Sequence, residues 1–154
     1  MIEALSQYIV SFLNARKPSL LPGVNLIKYG DVQPVAVKDH PAVTLSLDKA
    51  KAGSSKQRLG LEWSYSLMLY TVSAGTSDAA RAELLQLLWD PADDVGLLPA
   101  LHILTNSAVR MNGRCFFMRL GEDIEFGLSQ NDGYSTYGAR LTLEAAYTGP
   151  ALRQ

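Results

Sequence analysis

The 154-residue chain has one cysteine, Cys115, and two histidines, His40 and His102. A single thiol excludes an intrachain disulfide and any site built from several thiolates, and it fits a reducing compartment. The two imidazoles, one before a proline at a strand start and one in a leucine-rich stretch, offer no metal-ligand spacing. Charge is also sparse. Charged residues make up 19% of the chain, against roughly a quarter in an average domain. A net charge of −1 gives no global footprint for nucleic acid or an anionic membrane. No run of about eighteen apolar residues is present to cross a bilayer. The opening MIEALSQYIVSFLNARK places Glu3, and no basic residue, ahead of its apolar stretch, unlike a secretory signal.

A hydrophobic fraction of 47% remains beside that low charge, a balance that favours buried subunit interfaces. The charge is unevenly spread. Residues 1–60 hold eight Lys/Arg and four Asp/Glu, and residues 61–154 hold six and eleven, so oppositely charged faces are expected. The length suits one domain, residues 1–154, able to bury about two-thirds of its unfolded surface in one core.

The strongest pattern is RLGLEWSYSLMLYT, residues 58–71, in which Leu59, Leu61, Trp63, Tyr65, Leu67, Leu69 and Thr71 alternate with mostly polar residues. Period two assigns them to one face of a strand. Some fourteen residues would span on the order of 45 Å, about twice the usual length, so the strand is expected to project beyond the body of the domain.

Before it, Ile2, Leu5, Ile9, Phe12 and Leu13 recur at helical spacing, which predicts an amphipathic helix over 1–16 ended by Lys17-Pro18. Short strands are expected at Asn25–Lys28, Val35–Lys38 and Val43–Leu47. After the long strand, Thr76 or Ser77 can cap a helix whose buried stripe is Ala80, Leu84, Leu87 and Leu88, stopped by Asp90-Pro91. A further helical stretch is expected within Asp93–Leu104. Three strands follow: Arg114–Leu120, Asp123–Leu128 after a tight Gly121-Glu122 turn, and Tyr137–Tyr147. Residues 149–154 are expected to fray. The fold class is therefore α+β: a mainly antiparallel sheet with long strands, packed by an N-terminal helix and one or two central helices.

The chemistry of catalysis has little to stand on. Cys115 lies mid-strand beside Phe116 and Phe117, as small buried cysteines do. Asp93-Asp94 follows a proline as helix-start residues do and opens no calcium loop. Val72-Ser73-Ala74-Gly75-Thr76 lacks the glycine spacing and lysine of a phosphate loop. The remaining candidate is DKAKAGSSKQR, residues 48–58, a polar segment with Gly53-Ser54-Ser55 at its centre, read as a flexible loop or hairpin tip. Its Lys49, Lys51, Lys56 and Arg58 form the only basic cluster. They are candidate assembly contacts, or else guards of a strand edge.

Taken together, the N-terminal helix, the polar segment between long strands, the helix entry SAGTSDAARA after the central strand, and the last strand YGARLTLEAAYTG resemble the tail terminator proteins of long-tailed bacteriophages. The resemblance covers nearly the whole chain by order of elements and rests on no short motif. It implies a homo-hexameric ring at the head-proximal end of the tail tube, assembled in the host cytoplasm and resident in the virion. Such a ring ends tube polymerisation and joins the tail to the neck. The implied partners are the tail tube protein, neck or connector proteins and, in a contractile tail, the sheath protein; DNA passes through the lumen without sequence recognition. The family has no catalytic residues, so none is carried over, and no cofactor or metal is implied. The alternatives are another head–tail connector protein, or a small α+β ligand-binding or enzymatic domain with a pocket around His102 or Tyr134.

Overall fold

A computed structural model describes residues 2–30, 39–54, 58–72, 77–131 and 134–151. They form three helices, α1 (Ile2–Leu20), α2 (Ser77–Leu88) and α3 (Leu97–Thr105). Seven strands accompany them: β1 (Leu26–Tyr29), β2 (Ala42–Ser54), β3 (Arg58–Val72), β4 (Val109–Met111), β5 (Arg114–Leu120), β6 (Glu125–Asn131) and β7 (Tyr134–Ala151). One sheet runs β1-β2-β3-β7-β5-β4, and β6 pairs with β7 beside it. Every pairing is antiparallel except β1 with β2, which is parallel. The α+β reading holds.

Alternation decides which side of the sheet is dry. Trp63, Tyr65, Leu67 and Leu69 of β3 and Tyr137, Ala139, Leu141, Leu143 and Ala145 of β7 are buried, and they join Leu5, Ile9 and Leu13 of α1, Ala80, Leu84 and Leu88 of α2, and Leu97, Leu101 and Leu104 of α3 in one core. All three helices thus cover the same face. At about 25 cal/mol per Å² of apolar surface removed from water, each fully buried leucine in this layer is worth roughly 2 kcal/mol. The polar group at the centre of that layer is satisfied. The Tyr65 hydroxyl donates to the Ile2 carbonyl (3.1 Å) and accepts from the Ser6 hydroxyl (3.0 Å), tying α1 to the centre of the sheet.

Several boundaries differ from expectation. Helix α1 continues through Pro18 to Leu20. A proline near the end of a helix forfeits one hydrogen bond, and the last turn survives through Leu21 N–H to the Lys17 carbonyl (3.0 Å). Helix α3 begins at Leu97 rather than Asp93, because the Asp90–Val95 segment closes on itself with reciprocal backbone bonds. Gly96 then takes φ +136, where an added Cβ would sit 2.5 Å from the Leu88 carbonyl oxygen. Residues 48–54 are strand rather than loop, and β7 continues to Ala151, whose partner is Arg58, instead of fraying from 149. The expected strand at Val35–Lys38 lies outside the described residues.

The Gly121-Glu122 turn is the largest correction. Strands β5 and β6 do not fold back on each other; they run the same way, end to end, along one edge of β7. Gly121 N–H still bonds the Thr142 carbonyl (2.7 Å), continuing the β5 ladder. Glu122, Asp123 and Ile124 then bulge opposite the single residue Leu141 before pairing resumes at Glu125 with Arg140. A bulge of two extra residues preserves the alternation of faces. Strand β4, not anticipated, pairs with β5 across Asn112 (φ 51) and Gly113 (φ 73), the two-residue turn that matches sheet twist.

Candidate assembly surface

Residues that alternate with the core positions face away from the helices. On β3 these include Glu62, Ser64 and Ser66; on β7, Arg140, Thr142, Glu144 and Ala146; on β5, Phe117 and Arg119. All of these except Ser66 line an open groove of about 870 Å³ across the uncovered face of the sheet. Arg140 Nε donates to Ser66 Oγ (3.0 Å), while its terminal nitrogens lie 3.5 Å from Asp48 and 4.0 Å from Glu125. One guanidinium therefore links β2, β3, β7 and β6. Arg119 pairs with Glu144, its Nε donating at 2.9 Å. That pairing raises the Arg119 pKa further above its ordinary value. Ser64 Oγ, buried between the strands of this face, has no hydrogen-bond partner among the described residues.

The predicted contact residues are distributed rather than gathered. Lys49 and Lys51 lie on β2, exposed and on the groove side, opposite Ser64 and Glu62. Lys51 Nζ is 3.2 Å from Glu62, and both side chains are more than half exposed, so the pair adds little stability. Arg58 opens β3; its side chain and Lys56 lie outside the described residues. Lys49, Lys51, Arg119 and Arg140 are matched around the groove by Asp48, Glu62, Asp123, Glu125 and Glu144. This mixed lining gives no basic track for a phosphate backbone. Arg119 and Arg140 escaped the sequence reading because cross-strand pairing is visible only once the register is known.

The distal half of the β2–β3 ribbon is the second part of this surface. β1 covers β2 only from Ala42 to Leu45, and Leu47 to Gly53 are all exposed. Beyond the span of β1 the outer edge of β2 is therefore uncovered among the described residues, while β3 beside it stays paired with β7 as far as Arg58.

Among the described residues no cluster of metal-ligating side chains accompanies it. His102 is exposed on α3, Cys115 is half-buried on β5, and among the described residues no group of three His, Cys, Asp or Glu side chains could hold a metal. Burial pushes the Tyr65 hydroxyl pKa up, partly offset by its Ser6 hydrogen bond. The Trp63 indole N–H also lowers it from a position outside ordinary hydrogen-bond geometry, and so remains unpaired.

No protein-family model and no curated protein matches the chain. A solved structure is similar with a TM-score of 0.45 and 9% identity, over 94% of this chain and 91% of the other. That similarity is too weak to carry any argument about function.

Proposed function

We propose that the chain is a structural protein of a phage virion: a tail terminator that assembles as a hexameric ring on the last ring of the tail tube, ends its growth and presents the surface that the neck joins. The observation that carries the reading is the one-sided build. Helices cover most of one face of the sheet, while the other face, lined by ion pairs, and the distal stretch of β2 remain open. A ring needs two different patches per subunit, and an open sheet supplies them at its two sides. A neighbouring neck or connector protein could share this build, and occupancy at the tube end separates the two.

The test is sedimentation and negative-stain imaging of the purified chain, alone and with tail tube from the same phage. Sixfold rings at tube ends, and tubes that stop growing, are expected. A chain that stays monomeric and leaves tube ends bare would overturn the proposal.

A further inference from the structure

Exposed sheet edges are normally blunted by shortness, charge or proline. β1 is four residues with Lys28 on it, and β4 is three residues with Arg110. β6 is different. Its seven residues, EFGLSQN, carry no charge after Glu125 and no proline, and among the described residues no strand pairs its outer side. Phe126 and Leu128 pair with Ala139 and Tyr137, so they stand on the helix side of the sheet, yet they are 41% and 54% exposed. Between them, Gly127 leaves bare backbone on the groove side, where an added Cβ would meet nothing within 4 Å. A glycine in a strand often marks close approach by another backbone.

The opposite side of the sheet offers a counterpart. From Leu47 to Ser54, β2 also has an unpaired outer edge among the described residues. Its Ala50 and Ala52 lie on the helix side, opposite Trp63 and Leu61, and its Lys49 and Lys51 on the groove side. Lys49 has no ion pair among the described residues.

We infer that the β6 edge of one copy pairs with the distal β2 edge of the next, so that the sheet continues from subunit to subunit. This rests on the ring reading above and names the contact that would build it. Three features agree. β2, β3, β7 and β6 alternate in direction, so β6 meets the β2 of a like-oriented neighbour antiparallel. The small apolar Ala50 and Ala52 fall on the same side as the uncovered Phe126 and Leu128. On the other side, the register that sets Ala50 against Phe126 puts Glu125 opposite Lys51 and diagonal to Lys49. Because the two edges belong to opposite sides of one sheet, the contact is heterologous and propagates head to tail.

The contact is tested with cysteines in a Cys115→Ser background, combining Ala50→Cys or Ala52→Cys with Phe126→Cys or Leu128→Cys in the full chain. Mild oxidation at high protein concentration should give covalent ladders up to the assembled size in the double variants and none in the single ones. In parallel, Lys49→Glu and Glu125→Lys should each weaken association about tenfold, and the double swap should restore it. Oligomers that form normally but neither cross-link nor respond to the swap would overturn the edge contact and leave the ring reading standing. A chain that remains monomeric and uncross-linked at every concentration would overturn both.

Discussion

β3 passes through two environments. From Trp63 to Thr71 its odd-numbered residues lie under the helices and are buried. Towards its start, from Gly60 to Glu62, it pairs with the exposed Lys51–Gly53 stretch of β2, and Leu61 and Glu62 are less buried than the residues that follow. The alternation is the same in both halves; only the covering layer differs. The first half is specified by packing. The second is held by backbone pairing and leaves its side chains exposed. Substitutions should therefore be costly for stability in one half and nearly silent in the other, with assembly showing the reverse order.

The largest effect is expected at Leu141, buried opposite the β5–β6 bulge. Leu141→Ala should cost about 2–5 kcal/mol through lost transfer energy and the cavity left behind, read as a fall in the thermal or denaturant midpoint. Gly96→Ala comes next. It forces a side chain into a positive-φ conformation and against the Leu88 carbonyl, and should destabilise by roughly 1–3 kcal/mol; an unchanged midpoint would mean that the α2–α3 connection adjusts freely.

Tyr65→Phe removes a buried donor and should cost about 1 kcal/mol. It also tests the direction of the Tyr65 pKa shift. The unfolded phenol ionises near the ordinary value of 10.0 and the folded one above it. The folded state therefore holds its proton longer, and this contribution is fully present below pH 10 and lost as pH rises through the folded pKa. Wild-type stability should fall in that alkaline window, and the fall should be smaller in Tyr65→Phe. The smallest effect belongs to the ribbon. Lys49→Ala and Lys51→Ala should each leave the unfolding free energy within about 0.5 kcal/mol, while lowering the yield of assembled particles at low salt more than at high salt.

The buried half was the more legible in the sequence. Period-two alternation in 58–71 and 137–147, and the 3.6-residue spacing of Leu5, Ile9 and Leu13, record burial directly because only apolar side chains lower the free energy there. Residues 48–58 read as a loop or hairpin tip because they are polar and centred on Gly53-Ser54-Ser55, and the Lys-Ala-Lys-Ala alternation before that centre is too weakly apolar to mark a strand. A strand stabilised by a neighbour's backbone does not require apolar alternation. Pro18 was read as a stop, although a proline in the last turn forfeits only one bond. Gly121-Glu122 was read as a reversal, since a bulge and a turn draw on the same residues and only the register with Thr142 distinguishes them. Asn112-Gly113 is a hairpin signal carried by the sequence itself. The ion pairs of the open face join residues up to 92 positions apart, as Asp48 and Arg140 are, and no local pattern announces them.

The central claim is that the open side of this sheet exists to meet further copies of the same chain. Native mass measurement of the concentrated wild-type chain, beside the Leu128→Lys variant that sets a charge on the uncovered edge, tests it most directly. The account predicts a species of six chains for the wild type and a monomer with an unchanged melting midpoint for the variant. A monomeric wild type, or a Leu128→Lys variant that assembles as well as the wild type, would contradict it.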